Sequence, residues 1–199
     1  MAALVARAED QAAELPSTSP ALWIAGQADR EASLAEVITG WIYRLAQVGA
    51  WDVLTEYNPD SEGWDAEVMV AWLRTAAATY AHRIEQGTTE RVEEAAAAED
   101  VPVALGVVAA GLATAATLHA VTAAAEVLSF GGTDAARASG LTRKTWRTGG
   151  PNPRVTHAAQ NGETVDIDDV FTNGLRYPGD SAGEVDETAG CHCHLTYSR

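Results

Sequence analysis

The pattern of apolar and polar positions changes at about residue 140. Over the first part of the chain, apolar residues recur three and four positions apart, which places them on one face of a helix. The clearest run consists of Leu34, Val37, Ile38, Trp41, Ile42 and Leu45. Beyond Leu141, glycine, proline and asparagine become frequent and strand-like pieces are short. The pattern predicts an α+β fold, with a long-helix N-terminal arm over residues 1–140 and a small α+β domain over residues 141–199.

Prolines and turn residues set the expected limits of the first two long helices. Pro16 and Pro20 bracket a loop before the first one, which we expect to end at Ala50. A second long helix is expected from near Trp64, and Gly87 is expected to break or bend it. The residues expected on its buried face are Val68, Trp72 and Leu73.

A third helix is expected to begin at Pro102, because proline lacks the amide hydrogen that a first helical turn does not use. It should extend to about Leu128, where Gly131 and Gly132 end it. A short helix over residues 133–138 follows. Farther along, residues 163–167 and 191–197 have weak strand patterns.

Residues 101–118 carry no charged side chain, and this length approaches that of a membrane-spanning helix. The segment is rich in alanine, glycine and threonine, which insert weakly, and it lacks a basic flank or an aromatic belt. We therefore expect a helix buried inside the protein, and no association with a membrane.

The chain is strongly acidic, with 28 acidic and 13 basic residues and a formal net charge of −15. Such a surface repels phosphate backbones, so we expect no specific recognition of nucleic acid. It favours partners that carry basic patches.

The two cysteines, Cys191 and Cys193, are separated by a single residue. A disulfide between them would be strained, because alternate side chains of an extended chain lie too far apart for relaxed disulfide geometry. We expect two reduced thiols and a reducing compartment.

Several short motifs follow one another in the last third of the chain. In order, they are K-x-W (Lys144, Trp146), N-P-R-x-x-H (Asn152, Pro153, Arg154, His157), N-G-E (Asn161, Gly162, Glu163), F-x-N-G-x-x-Y-P-G-D (Phe171, Asn173, Gly174, Tyr177, Pro178, Gly179, Asp180) and C-x-C (Cys191, Cys193). In this order they resemble the C-terminal domain of the Mu-F-like minor head proteins of tailed bacteriophages. The resemblance covers about a quarter of the chain and does not extend to residues 1–100.

The resemblance implies a structural minor head protein, without enzymatic activity, that acts in head assembly or genome delivery. It implies the portal protein, the major capsid protein or both as partners, within an oligomeric assembly. The expected location is the virion head, near the portal or the inner capsid, and the host cytoplasm during assembly.

One nitrogen and two sulfur ligands are available from His157, Cys191 and Cys193, a set well suited to zinc. A metal held by these residues would tie the beginning of the small domain to its end. His194 is the candidate fourth ligand, and His192 and Asp180 are alternatives. The other interpretation is a buried pair of reduced thiols, with His157 hydrogen-bonded to the backbone.

The alternative function is a metal-dependent hydrolase or nuclease-like effector carried in the virion. His157 could form an acid–base pair with Glu163, Asp166 or Asp180. Against this, the sequence has no H-E-x-x-H or G-x-S-x-G motif, and basic residues for a nucleic-acid groove are few.

Overall fold

The computed structural model describes residues 2–60 and 65–199, without the side chains of Ala66 and Val68. It confirms the α+β fold, because long helices precede a small three-stranded sheet. The elements are α1 (Ala2–Glu14), α2 (Pro20–Ala25), α3 (Gln27–Tyr57), α4 (Val70–Ala96), α5 (Val101–Ala138), β1 (Arg143–Arg147), α6 (Val155–Gln160), β2 (Thr164–Asp166), α7 (Val185–Thr188) and β3 (His194–Ser198), with short 3₁₀ helices at Leu15–Ser17 and Ala66–Met69.

The chain forms two compact units. The first comprises residues 1–41 and 71–120, and the second comprises residues 42–70 and 121–199. The sheet lies in the second unit, together with the C-terminal parts of α3 and α5. The predicted boundary at residue 140 therefore marks where the strands begin, but the compact units divide elsewhere.

Helix α3 is longer than expected, because it continues past Ala50 to Tyr57. It ends where Asn58 precedes Pro59, and a residue before proline disfavours the helical conformation. Within the predicted stripe, Leu34, Ile38 and Ile42 are buried, whereas Val37, Trp41 and Leu45 are partly buried.

Helix α4 continues through Gly87, which was expected to break or bend it. A glycine inside a helix costs only about 1 kcal/mol relative to alanine. Buried residues on both sides of it, including Ala81 and Val92, hold the helix in place. Leu73 is buried as predicted and Trp72 is partly buried, while the expected start near Trp64 and the side chain of Val68 lie outside the described residues.

Helix α5 runs unbroken through Gly131 and Gly132, the predicted end of the third helix. In the second unit, a Cβ atom on Gly131 would lie 2.3 Å from the carbonyl oxygen of Ala46. A Cβ atom on Gly49 would lie equally close, at 2.3 Å, to the carbonyl oxygen of Leu128. These glycines therefore allow two helix backbones to touch, and they do not end the helix.

One face of α5 in the second unit is hydrogen-bonded to the C-terminal segment. The residues on this face recur three and four positions apart, namely Thr122, Glu126, Ser129, Thr133 and Arg137. Their partners, in the same order, are Gly190, Ser181, Tyr197, Tyr197 and Asp168, at 2.6 to 3.3 Å. The unbroken helix is what places all five on one face.

The same helix is long and apolar enough to cross a membrane, although one such helix is weak evidence because a core helix passes the same test. It buries a single stripe, which includes Leu105, Ala109 and Leu112. Val103 and Val107 are 63% and 70% exposed, so the helix that we expected to be buried inside the protein is buried on one face only.

The sheet has the order β2-β1-β3, with both pairs antiparallel. Its central strand, β1, was not predicted, since Arg143–Arg147 consists mostly of polar residues. Lys144 and Trp146 alternate along this strand and are both buried, and Trp146 lies opposite Leu195 of β3. Strand β2 lies within its predicted segment, residues 163–167, and β3 overlaps its predicted segment, residues 191–197, and ends one residue beyond it.

We predict that Gly131→Ala and Gly87→Ala have opposite effects on stability. Alanine at Gly131 must push the two backbones apart, and overpacking of this kind costs about 1 to 3 kcal/mol. No atom lies within 4 Å of a Cβ on Gly87, so alanine there should add up to about 1 kcal/mol through helix propensity. Urea unfolding of the two variants measures both changes, and a gain of stability in both would contradict the close approach at Gly131.

Candidate metal centre

Three of the predicted ligands converge in the second unit. The ligand atoms of His157, Cys191 and Cys193 all lie within 4.8 Å of one another. Their side chains are buried, with 1%, 2% and 6% of their surface exposed. His157 lies on α6 and the cysteines directly precede β3, so the group joins the beginning and the end of the C-terminal region in space.

His157 presents one ring nitrogen to both sulfurs. Its Nδ1 atom lies 3.7 Å from Cys191 Sγ and 3.5 Å from Cys193 Sγ. Its Nε2 atom lies 3.3 Å from Glu187 Oε2, at an angle that does not form a hydrogen bond. Glu187 accepts a hydrogen bond of 3.0 Å from the Thr156 hydroxyl, which also lies on α6. A carboxylate behind the ring is common where histidine binds a metal, and it leaves Nδ1 as the ligand atom.

The two thiols are free, and each changes the pKa of the other. A hydrogen bond with Cys193, reinforced by burial, raises the pKa of Cys191. The same hydrogen bond lowers the pKa of Cys193 to about 5, and the Gly149 amide and His157 lower it further. The lowered pKa favours the thiolate form of Cys193 beside the imidazole, and a thiolate is the form that binds metal ions.

Backbone contacts hold the C-x-C segment in place. The amide of Cys191 donates to the carbonyl of Thr188 at the end of α7. A Cβ atom on Gly149 would lie 1.9 Å from the carbonyl oxygen of His192. Only glycine therefore allows the chain that follows β1 to lie beside the C-x-C segment. Arg154, which precedes α6, donates to the carbonyl of Ala189.

Two aromatic side chains pack against one side of the group. Trp146 is fully buried and meets both His157 and Phe171 edge-on, with ring centroids 5.2 Å apart in each pair. Trp146 and Phe171 belong to the same buried cluster as both cysteines. In such apolar surroundings a thiolate without a partner is costly, which favours a cation or a proton at the site.

His194, the predicted fourth ligand, does not join this group. It is exposed, as is His192, whereas both cysteines are buried. Successive side chains of an extended chain point to opposite faces, so the residues that follow each cysteine point away from it. Asp180 is buried but binds Arg176, at 2.7 and 2.8 Å. Among the described residues, the group has three members.

The carboxylates proposed for an acid–base pair have other partners. Glu163 accepts from Thr172, and Asp166 lies 3.3 Å from Arg143. The carboxylate beside His157 is Glu187, which the sequence analysis missed. Only its acidic side chain on the short helix before the cysteines could have suggested it. The second interpretation of His157, with a backbone partner, also differs from the structure, since both ring nitrogens face side chains.

The fold and the site together define an α+β protein with a buried His–Cys–Cys group that could bind a metal ion. Comparisons with protein-family models, with curated proteins and with solved structures found no match to this chain. The chemistry of the group therefore follows from its own donor atoms and their surroundings.

Lys144, from the K-x-W motif, is a buried amine close to this cluster. It is 2% exposed, and its Nζ atom lies 5.5 Å from the centroid of the Phe171 ring. Burial lowers its pKa from 10.5 to about 8, with a further contribution from Arg137. Because the folded-state pKa is the lower one, the unfolded chain binds more protons between these values, and stability rises with pH across that window.

We predict that Lys144→Met abolishes this rise. Wild-type stability should increase by about 1 to 2 kcal/mol between about pH 7.5 and pH 9.5, given about 1.4 kcal/mol for each pKa unit. The variant should also be more stable at about pH 7, because it no longer buries a charge. Urea unfolding at several pH values measures both effects. Arg143→Met, at an exposed neighbour, should keep the slope, and equal slopes for Lys144→Met and the wild type would contradict the assignment.

Proposed function

We propose that this protein is a structural minor head component of a tailed bacteriophage, of the Mu-F-like type. In this role it associates with the portal or the inner capsid and acts in head assembly or genome delivery. The observation that carries the proposal is the ordered series of motifs from K-x-W at residue 144 to C-x-C at residue 191.

The packing of the motif residues supports the proposal. Residues from three separate motifs, namely Trp146, Phe171 and the two cysteines, form one buried cluster. Motifs that are far apart in sequence thus serve a single core. The spacing of these motifs along the chain is therefore accounted for by the core that they form, as expected for a structural domain.

The P-G-D loop also has a structural role that accounts for its residues. Asp180 accepts hydrogen bonds from the backbone amides of Arg176 and Ala182, as well as from the Arg176 side chain. Gly179 has a φ of 79°, and a Cβ atom there would lie 2.8 Å from the amide nitrogen of Glu126 in α5. The hydrogen bonds of Asp180 and the close approach at Gly179 therefore account for these two residue types by the local structure of the loop.

The long helices supply the surface that assembly would use. In the first unit, the exposed face of α5 carries Val103, Val107 and Leu118. A face of this kind is suited to contact with another protein, and portal and capsid proteins are the partners that the proposal names.

Zinc is the metal that we propose for the His–Cys–Cys group. Two sulfurs and an imidazole nitrogen are the donors that zinc prefers, and the group is buried, as in structural sites. His157, Cys191 and Cys193 would hold the ion, and it would supply a crosslink between α6 and the segment before β3. The gain would be large here, because this region has little regular secondary structure to stabilise it.

A catalytic metal is the rival, and one observation favours it. Three protein ligands leave a coordination position open, and Cys193 lines a cavity of about 310 Å³. Neither lysine nor arginine is among the described residues that line this cavity, and Val53, Leu128 and Leu195 make it largely apolar. A phosphodiester would find no countercharge there, so a nuclease is the weaker proposal.

We expect the protein in purified phage particles, at far lower abundance than the major shell protein. Quantitative mass spectrometry of virions and proheads tests this expectation. Absence from both particles would refute the structural role. Abundance equal to that of the shell protein would refute the minor one.

We expect zinc to bind the purified protein at one ion per chain, and Cys193→Ser to abolish most of the binding. The variant should also melt at a lower temperature, because it lacks the crosslink. His194→Gln is the matched control, since it changes an adjacent but exposed residue, and it should retain the ion. Elemental analysis and thermal unfolding, with and without a chelator, measure these effects. Wild-type protein that binds no zinc would instead contain a thiol–imidazole packing cluster.

A further inference from the structure

Four basic side chains line one small cavity in the first unit. Arg7 comes from α1, Arg83 and Arg91 from α4, and His119 from α5. The cavity has a volume of about 40 Å³, and neither aspartate nor glutamate is among the described residues that line it. In a chain with a net charge of −15, a concave surface lined only by cationic and neutral groups stands apart from its surroundings.

The helical repeat explains how the cavity forms on α4. Arg83 and Arg91 are eight residues apart, so they lie on the same face about two turns from each other. Gly87 lies between them and also lines the cavity, where a Cβ atom would meet no other atom within 4 Å. The absence of a side chain at this position leaves room between the two guanidinium groups.

The buried acid of this unit is already neutralised. Glu85 is fully buried and accepts hydrogen bonds of 2.8 Å from Arg30 Nε and 2.7 Å from Gln11 Nε2. Its two oxygens are thus occupied, and it does not line the cavity. Glu85 therefore contributes no negative charge to the lining of the cavity.

Two polar groups at the cavity, Arg7 and His119, are affected by their burial. The Nε atom of Arg7 is buried and has no hydrogen-bond partner among the described residues. A buried donor without a partner is costly, so an acceptor from outside the chain would stabilise it. Burial lowers the pKa of His119, and the charges of Arg91 and Arg83 lower it further.

We propose that this cavity binds one phosphate-sized oxyanion, which accepts hydrogen bonds from Arg7 and Arg91 and lies beside His119. The volume exceeds the roughly 10 to 15 Å³ that a single water requires, and it is too small for a nucleotide. Guanidinium groups are the side chains best matched to such an anion. This site is separate from the His–Cys–Cys group and does not depend on the proposed role in the phage head.

The test is a titration of the full-length protein with inorganic phosphate, at an ionic strength kept constant with sodium chloride. Calorimetry should show saturable binding, and the His119 resonances in NMR spectra should shift with the same midpoint. Arg91→Gln should weaken binding by about tenfold or more, since it removes a charge-assisted hydrogen bond. Arg74→Gln is the control, because it removes an exposed arginine of the same helix that does not line the cavity, and it should change the affinity by less than about twofold.

Phenyl phosphate, used in a parallel titration, distinguishes the two sources of the anion. Binding of both compounds identifies the site as a receptor for a phosphate group on a larger molecule, and binding of inorganic phosphate alone identifies it as a site for the free ion. Absence of saturable binding beyond that of chloride would overturn the proposal. An equal loss in Arg91→Gln and Arg74→Gln would also overturn it, because the effect would then be one of general charge. Arg91 is exposed, so its variant stays folded even if Arg7→Gln does not.

Discussion

Polar sulfur and nitrogen atoms in an apolar interior need partners, and this requirement shapes the C-terminal half of the second unit. Cys193 obtains its partners from Cys191, from the Gly149 amide and from His157. Each of these residues must then be held at a fixed position, by α6, by the segment before β3 and by the end of β1. The loop between β2 and α7 adds buried apolar side chains, namely Ile167, Phe171, Leu175 and Tyr177. Apolar packing and the polar group therefore order these turns together.

The second requirement is a rigid support for so many turns, and α5 supplies it. Its five hydrogen-bonding residues contact loops and a strand over a stretch from Thr122 to Arg137. That stretch includes the glycines that allow α5 and α3 to touch. Close packing of two helices and hydrogen bonding to the loops are thus achieved by two faces of the same helix.

The sequence was sufficient where residue chemistry alone decides the outcome. Two closely spaced thiols indicate a soft-metal set by their chemistry, but the choice of His157 among the five histidines came from the family resemblance. The convergence of these three residues is what the structure shows. The expected helix ends at Ala50 and Gly131 and the expected break at Gly87 were wrong. At the two glycines, a small local penalty is outweighed by contacts that the sequence does not display. Strand β1 was missed because its mostly polar sequence is typical of a surface segment, although Lys144 is buried against the Phe171 ring.

The dependence of the C-terminal region on α5 limits how this part of the molecule can be exchanged in evolution. A segment that began at residue 141 would carry every motif and all three candidate ligands, but it would leave behind the acceptors for the Gly190 and Ser181 amides and the partners of Tyr197. A module that keeps these hydrogen bonds therefore extends upstream at least to about residue 121, and its core also needs the part of α3 in the same unit. Recombination that joined this region to a different helical arm would need its junction within α5, upstream of Thr122. The helix would have to continue across that junction without a break.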